Sequence, residues 1–390
     1  MQIPVDGTGV LCYTMYKIGV SCAEHLWRTA ADMEIGLRMG TWISPADPAL
    51  QYMGRIDRSQ GASPAFYYAG SQVRLGFTGD RLAVRVQNTR FYNRIQLGYW
   101  LDGAEGVLDL SDTLEPQLLE IPVTRCRPLH RLILFKRQDA THYFRLLGFE
   151  LAEGGCACKL PPLPQRRIEC YGDSVSAGAV CEAYEAVGQT DPPAKCDGTA
   201  DNAWYAFPMQ TARLLEAQIH NIAQGGIALL DHTGYYHDGQ IGMESVYNKL
   251  CYIPETDTGV TDWDFAAYTP QVVILAFGQN DHHIGQQDNI LLTGQRRIAW
   301  KNRYLELLGD LMDKYPRAVF ILTLTVLQHD ADFERVLDEI QETAGSDRVL
   351  RYRFRRTGTG TPGHPRVPEQ SEMASELTQF ILSLGDQIWV

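Results

Sequence analysis

The chain falls into two parts that differ in the spacing of their hydrophobic positions. Between residues 65 and 151, hydrophobic and polar residues alternate with a period of two, in runs separated by short turns such as Asp102-Gly103. Val73, Leu75 and Phe77 therefore share one face of a strand. Alternation of this kind, with turns at this spacing, predicts an antiparallel β-sandwich.

The pattern changes after a proline-rich stretch, GGCACKLPPLPQRR, at residues 154–167. Short hydrophobic runs then appear at RIECY, IHNIA, QVVILAF and AVFILTL, and each is short enough to be a buried strand. Helical patterns occupy residues 203–218 and 295–315, and a final one contains Met373 and Leu377 on one face. Strands that alternate with helices predict a parallel sheet covered on both faces.

These patterns predict two domains, an N-terminal extension and a linker. We expect an N-terminal extension at 1–50, an antiparallel β-sandwich at 51–155, a linker at 156–166 and an α/β domain at 167–390. The extension contains CAEHLWRTAADMEIGLRMG, which is compatible with a helix but has no predicted place in either domain.

Composition and charge exclude several classes of partner. The 390 residues are 45% hydrophobic and carry a net charge of -12, which disfavours an extended nucleic-acid interface. The basic run RYRFRR at 351–356 fits an edge strand better than a phosphate-binding patch. No hydrophobic run is long enough to cross a membrane. The first residues do not resemble a signal peptide, so a cytoplasmic protein is expected unless a leader has been removed.

The cysteines and histidines do not predict a metal centre. Nine cysteines without regular spacing indicate neither a disulfide framework nor a zinc site. His232, His237 and the pair His282-His283 are likewise spaced irregularly for ligands of one ion. We therefore expect no metal and no cofactor.

One serine lies where a nucleophile would be placed in an α/β domain. The stretch RIECYGDSVSAG at 167–178 predicts a strand, a sharp turn and small residues that open a helix, with Ser174 in the turn. Reactive groups of such domains collect in the loops after the strands. The spacing does not match the G-x-S-x-G nucleophile elbow, since Gly178 follows four residues after the serine.

Serine needs a base, and His364 is the best candidate. It lies in GTPGHPRVPEQSEMA, a proline- and glycine-containing loop before the last helix, from which it can reach the carboxyl edge of the sheet. A histidine in such a loop can equally be a solvated surface residue.

Acyl transfer also needs hydrogen-bond donors for an oxyanion. Gly225-Gly226 follows one predicted strand and Asn280 follows the next, so a backbone N–H and a side-chain amide are available at the same edge. Asn280 can instead serve a turn or a helix cap.

Taken in order, these blocks resemble a known family. Gly172-Asp173-Ser174, the glycine pair, Gly278-Gln279-Asn280-Asp281 and His364-Pro365 are similar to the four blocks of SGNH (GDSL-type) hydrolases. In the N-terminal part, YYAGSQVRLGFTGDRLAVRV, GYWLDG and HRLILFKRQDATHYFRLLGFEL resemble the jelly-roll domain of carbohydrate esterase family 2. The resemblance extends over residues 50–390.

The resemblance implies a function and a set of roles. Members of that family remove O-acetyl groups from cell-wall sugars such as xylan and glucomannan. By position, Ser174 is the nucleophile and His364 the general base, while the Ser174 N–H, the Gly226 N–H and the Asn280 side chain form the oxyanion hole. The implied substrate is an acetylated carbohydrate.

The sequence departs from the SGNH pattern beside the histidine. The family usually places an aspartate two or three residues earlier, where this chain has Pro362 and Thr361. Something must still orient the imidazole. A backbone carbonyl, as in Ser-His dyads of the family, is the preferred expectation, and an acid from elsewhere in the chain is the alternative.

The sequence is compatible with three functions. The first is a metal-free serine esterase that deacetylates carbohydrates, and the second is a lipid or thioester acyl hydrolase with the same site. The third is a non-catalytic carbohydrate-binding protein. Candidates for stacking on sugar rings are Trp204, Trp263, Tyr235 and Tyr236, although core packing is the commoner role for any one of them. The insert at 181–199 is expected to shape the rim of the cleft. The oligomeric state is not predicted.

Overall fold

A computed structural model describes residues 40–89, 93–140, 142–254, 256 and 258–390. The helix considered within the N-terminal extension lies outside these residues. Within them, the first part of the chain forms the following strands: β1 (Thr41–Ile43), β2 (Gln51–Met53), β3 (Ile56–Asp57), β4 (Ala65–Phe66), β5 (Gln72–Phe77), β6 (Leu82–Thr89), β7 (Gln96–Leu101), β8 (Ala104–Asp109), β9 (Gln117–Ile121), β10 (His130–Lys136), β11 (Tyr143–Leu151) and β12 (Ala157–Cys158).

These strands form two antiparallel sheets that pack face to face, as the alternating pattern predicts. One sheet has the order β3-β4-β11-β6-β9 with β1 paired to β11, and the other has the order β12-β5-β10-β7-β8 with β2 paired to β5. Val73 and Leu75 of β5 share a buried core with Leu82 and Val84 of β6, which belongs to the opposite sheet. We call β1–β12 the sandwich. It includes β1 and β12, which lie in the predicted extension and linker. The predicted domain limits remain a prediction.

The rest of the chain builds an α/β part. Its strands are β13 (Arg166–Gly172), β14 (Ala217–Ala223), β15 (Lys249–Cys251), β16 (Thr261–Asp262), β17 (Val272–Ala276), β18 (Val319–Leu322) and β19 (Val349–Arg351). Its α-helices are α1 (Ser174–Ala177), α2 (Phe207–Leu214), α3 (Met243–Val246), α4 (Gly294–Lys314), α5 (Ala331–Ala344) and α6 (Val367–Ser383). Short 3₁₀ helices occupy Tyr184–Ala186, Pro193–Lys195, Ala203–Tyr205, Tyr236–Gly239, Phe265–Ala267, Gln279–His282 and Asp386–Trp389.

A parallel sheet of order β14-β13-β17-β18-β19 forms the centre of this part, so the predicted fold class is confirmed. Helix α4 agrees closely with the predicted segment. The helix predicted over 203–218 is shorter, because a 3₁₀ turn precedes α2 and the chain already enters β14 at Ala217. The parallel register brings the carboxyl ends of β13, β14 and β17 to one edge of the sheet.

The basic run at 351–356 lies at the edge of this sheet, as expected, although only Arg351 is part of β19. Its charges are engaged by acids on neighbouring helices. Arg351 forms an ion pair with Glu334 of α5, and Arg356 pairs with Glu372 of α6 at 2.6 Å. The run thus ties the sheet edge to its covering helices.

A buried arginine joins the sandwich to the α/β part. Arg55 is fully buried and donates hydrogen bonds to Glu169 at 3.1 Å and to the hydroxyl of Tyr171 at 2.7 Å, both on β13. It also donates to the backbone carbonyl of Tyr247 at 2.7 Å. Because the charge is paired and hydrogen-bonded, its burial is tolerated, and it fixes the sandwich against the strand that leads to Ser174.

No helix among the described residues is both long and apolar enough to cross a membrane.

Candidate active site

Ser174 occupies the turn that the sequence predicts, directly after β13. It begins the one-turn helix α1, in which the first backbone N–H groups have no intrahelical acceptor. Asp173 precedes it and accepts a hydrogen bond from the N–H of Val175 at 3.0 Å, which caps the helix. Gly172 is required by close packing, since a Cβ there would lie 2.1 Å from Oγ of Ser176. The turn is therefore rigid and presents Ser174 at the edge of the sheet.

Asp173 is a buried carboxyl group next to the serine. Desolvation by burial is the main effect and raises the pKa of Asp173 to about 6, although the hydrogen bond from Val175 opposes the shift. Its role in the structure is to hold the turn.

The glycine pair follows β14 and lies beside the serine turn. Gly226 has a φ of +72°, which favours glycine, and an added Cβ would lie 2.9 Å from the Cβ of Tyr235. Its N–H makes no hydrogen bond within the described residues and is free to meet a ligand. The preceding Gly225 N–H donates to the carboxylate of Asp139 at 2.9 Å. Since Asp139 belongs to the sandwich, this part of the chain helps to hold the glycine loop.

Asn280 lies after β17, in the 3₁₀ helix that follows Gly278. Its Nδ2 donates to the backbone carbonyl of Ile227 at 2.9 Å, which fixes the orientation of the amide. The neighbouring Asp281 is buried and accepts hydrogen bonds from the N–H groups of Leu229 at 2.7 Å and Leu230 at 3.1 Å. The two loops that carry Gly226 and Asn280 are thereby joined into one unit.

His364 lies in the loop before α6, where Asp191 supports it. The Asp191 carboxylate lies 2.6 Å from Nδ1 of His364 and accepts a hydrogen bond from the backbone N–H of the same residue at 2.9 Å. Gly363 allows this approach, because a Cβ there would lie 2.7 Å from Oδ1 of Asp191. With Nδ1 engaged, Nε2 is the ring nitrogen left to exchange a proton.

A buried arginine holds Asp191 in place. Arg366 is fully buried and donates to Oδ1 of Asp191 at 2.8 Å. Burial alone would raise the pKa of Asp191, but its hydrogen bond and charge interaction with His364, together with Arg366, hold that pKa well below its ordinary value. Asp191 is therefore an ionised carboxylate across the neutral pH range.

The expectation that a backbone carbonyl orients His364 is wrong, and the alternative of an acid from elsewhere in the chain is what the structure shows. Asp191 belongs to the insert at 181–199, which was expected only to shape the rim. The family pattern places the acid next to the histidine in the sequence, where this chain has Thr361 and Pro362. The short stretch TDPPAK that contains Asp191 has no feature that marks it as a partner of a residue so far along the chain.

All four candidate residues line one cavity of about 890 Å³: Ser174, Gly226, Asn280 and His364. Asp191 also lines it, so the structure brings the predicted residues and the missed acid together. Among the described residues of the wall, the charged groups are aspartates, while lysine and arginine do not occur there. The cavity therefore suits an uncharged ligand rather than an anionic one.

Of the aromatic candidates, Tyr235 alone faces this cavity. Its ring stacks on His283 at a centroid distance of 4.0 Å, and its hydroxyl donates to Asp288 at 2.6 Å. Tyr236 is buried, and Trp263 packs against buried His220, so neither is available to a ligand in the cavity. The His282-His283 pair thus braces an exposed aromatic ring.

Comparisons with known proteins agree with this architecture. The family model described as carbohydrate esterase 2 N-terminal matches residues 52–161. An acetylxylan esterase / glucomannan deacetylase from Cellvibrio japonicus is 26% identical over 352 residues, which cover 88% of this chain and 91% of that protein.

Solved structures show the same fold. A family two carbohydrate esterase from Clostridium thermocellum, in complex with cellohexaose, has a TM-score of 0.71 at 23% identity and covers 87% of this chain and 100% of its own. A family two carbohydrate esterase from Cellvibrio japonicus has a TM-score of 0.71 at 24% identity. The match covers 90% of this chain and 98% of that structure. The resemblance to carbohydrate esterase family 2 is confirmed, and the names of these relatives agree with the expected class, a carboxylic ester hydrolase.

Proposed function

We propose that the protein is a serine esterase that removes O-acetyl groups from carbohydrates through an acyl-enzyme intermediate. The observation that carries the proposal is the contact between Asp191 and Nδ1 of His364 in the cavity that Ser174 also lines. A carboxylate in this position selects the imidazole tautomer whose Nε2 can accept a proton, and it stabilises the imidazolium that results.

The chemistry assigns one role to each group. His364 takes the proton from Oγ of Ser174 as the oxygen attacks the acetyl carbonyl. The oxyanion accepts hydrogen bonds from the N–H groups of Ser174 and Gly226 and from the Asn280 amide. Collapse of the tetrahedral intermediate forms the acyl-enzyme and expels the sugar alkoxide, which receives the proton from His364. Water, activated by the same imidazole, then releases acetate and restores the serine.

Tyr235 supplies a surface for the sugar. Its side chain is 45% exposed, and it lies against Gly226, so its ring stands beside the predicted oxyanion hole. The contacts to His283 and Asp288 fix the ring, which lowers the entropic cost of stacking a pyranose on it. The Clostridium thermocellum relative was solved with cellohexaose, which agrees with a carbohydrate ligand.

The charge of the cavity disfavours one alternative. A nucleotide-linked thioester carries phosphates, and Asp139 and Asp330 would repel them at the wall. A long-chain lipid ester would need an extended apolar channel, whereas this wall mixes aspartates and histidines with a few aliphatic side chains. A neutral, short acyl ester of a sugar fits both features.

Hydrolysis of p-nitrophenyl acetate, butyrate and octanoate by wild type and Ser174→Ala tests the proposal. We expect turnover that falls steeply with chain length and disappears in the variant. Equal or better turnover of octanoate would favour the lipid hydrolase. Absence of serine-dependent turnover of every ester, with binding of oligosaccharides retained, would favour the non-catalytic carbohydrate-binding protein.

A further inference from the structure

A second cavity, of about 560 Å³, lies on the outer face of the sandwich sheet β12-β5-β10-β7-β8. It shares no lining residue with the cavity of Ser174. We call it the arginine groove, defined by Arg74, Arg131, Trp100 and Trp204 among its lining residues. Nothing in the proposed deacetylation uses it.

Strand register builds the floor of the arginine groove. Arg74 of β5 lies opposite Ile133 of β10, and Ile133 lies opposite Trp100 of β7. Residues paired in this way point to the same face of a sheet. Arg131 precedes Ile133 by two residues on β10, so it points to that face as well. Two guanidinium groups and an indole thus project from one side of three adjacent strands.

Trp204 covers one side of the groove from the α/β part. Its ring lies 5.6 Å from that of Trp100, centroid to centroid, with an angle of 34° between the planes. The Arg213 guanidinium lies 4.2 Å from the centroid of the Trp204 ring. Both indoles are half-buried, so their positions are fixed by packing while part of each ring remains accessible. The Trp204 ring also packs on Phe135 at a centroid distance of 5.1 Å, so Trp100 offers the freer indole surface to a flat ligand.

Two of the groove's arginines, Arg74 and Arg131, have no side-chain partner among the described residues. The side chains of Arg74 and Arg131 form no hydrogen bond or ion pair within the described residues, although Arg74 is half-buried. Burial, and then the charge of Arg131, lower the pKa of Arg74. Two like charges on the same face of adjacent strands are unfavourable without a counter-ion, and a bound anion would relieve both the desolvation and the repulsion.

Asp102 is the one carboxylate among the described residues that line the groove, and it is already engaged. Asp102 lies 2.7 Å from Nδ1 of His130 and accepts the backbone N–H of Arg131 at 3.0 Å. Nε of Arg127 lies 3.9 Å from the Asp102 carboxylate, and the Arg127 side chain is 48% exposed. The groove is therefore locally cationic in a protein whose net charge is -12. That contrast favours an anionic ligand over a neutral one.

We propose that the arginine groove binds a sugar acid, a hexuronate unit of a glycan, with the carboxylate between Arg74 and Arg131 and the ring face against Trp100, beside Trp204. Planar guanidinium groups match a carboxylate, and indoles match the apolar face of a pyranose. The choice of a sugar acid over other carboxylates rests on the proposed carbohydrate function. The groove then attaches the enzyme to acidic glycan while the other cavity accepts neutral acetyl esters.

The test is isothermal titration of wild type, Arg74→Gln/Arg131→Gln and the surface control Arg335→Gln with tetragalacturonate. We expect wild type and the control to bind this probe about tenfold more tightly, or better, than neutral xylotetraose, because the pairing supplies charge-assisted hydrogen bonds. The double variant should lose that advantage, and affinity in wild type should fall as salt rises. Turnover of p-nitrophenyl acetate should be the same in all three proteins.

Three results would overturn the proposal. One is equal affinity of wild type for tetragalacturonate and xylotetraose, and another is unchanged binding in the double variant. The third is equally tight binding of a tetraglutamate peptide, which would mean that the groove recognises charge without a sugar ring. If the double variant does not fold, the affinity of Arg131→Gln for tetragalacturonate replaces it, because Arg131 is exposed and its substitution should not disturb folding. Because binding is measured without hydrolysis, failure here is distinct from loss of esterase activity.

Discussion

The carboxylate of Asp191 bridges the ring Nδ1 and the backbone N–H of His364, at 2.6 Å and 2.9 Å, although 173 residues separate the two in the chain. The insert that carries Asp191 therefore does more than border the cleft. It supplies the group that orients the histidine, in place of the aspartate that SGNH hydrolases usually have next to it. Arg366 completes the arrangement, since it contacts both residues.

The first prediction concerns Asp191→Asn. The amide would donate to Nδ1 and hold the wrong imidazole tautomer, so we expect kcat for p-nitrophenyl acetate to fall by about 10²- to 10⁴-fold with a small change in KM. Steady-state kinetics at neutral pH measure this directly.

Asp197→Asn is the matched control for that variant. Asp197 also lies in the insert, but it accepts hydrogen bonds from the N–H and hydroxyl of Thr199 and does not contact His364. We expect near wild-type kinetics. Equal activity of the two variants would mean that Asp191 does not support the histidine.

The second prediction concerns Gly226→Ala. The new Cβ would lie 2.9 Å from Cβ of Tyr235 and 3.2 Å from the backbone N of Tyr236, so the loop must shift and carry the Gly226 N–H with it. Loss of one oxyanion donor predicts a decrease in kcat of about 10²-fold. The measurement is kcat on p-nitrophenyl acetate.

Gly285→Ala separates this effect from backbone strain. Gly285 has a similar φ of +62°, but a Cβ there meets no atom within 4 Å. The substitution costs similar conformational energy but does not move the loop that carries Gly226, so kcat should be close to that of wild type. A comparable loss of kcat in both variants would refute the proposed role of the Gly226 N–H.

The third prediction concerns stability and pH at Asp173. Burial raises its folded-state pKa from 3.8 to about 6, so this group favours the folded state below the unfolded pKa and loses that contribution as pH rises through 6. Asn retains the acceptor for the Val175 N–H but cannot ionise. Between about pH 4 and about pH 7.5, wild type should lose on the order of 2–3 kcal/mol relative to Asp173→Asn.

Urea unfolding of both proteins at the two pH values gives this difference. If wild type and Asp173→Asn change in parallel with pH, Asp173 ionises normally in the folded protein, and the account of its burial is wrong.

The fold was largely predictable because its hydrophobic periods are clear. Alternation around Val73 and Leu75 predicts strands that the structure contains, and the runs QVVILAF and AVFILTL become β17 and β18. The helix predicted to Gln218 was too long, because Ala217 already pairs with Arg166 in the sheet. Strand pairing with β13 sets this boundary, and the local sequence carries no signal for it.

The candidate site was predictable only in part, for a physical reason. Ser174, Gly226 and Asn280 follow strands of one parallel sheet, and parallel strands end at the same edge, so their proximity could be inferred. Asp191 lies in an irregular insert whose path depends on packing against the loop at Gly363. Asp139 reaches Gly225 from the sandwich, and no local pattern fixes such a contact.

The most direct test of the account is release of acetate from acetylated xylo-oligosaccharides, followed by NMR, with wild type, Ser174→Ala and His364→Ala. We expect wild type to release acetate and leave the glycosidic bonds intact, while neither variant releases acetate above the uncatalysed rate. Undiminished release by Ser174→Ala, or no release by a folded wild type that hydrolyses other esters, would contradict it.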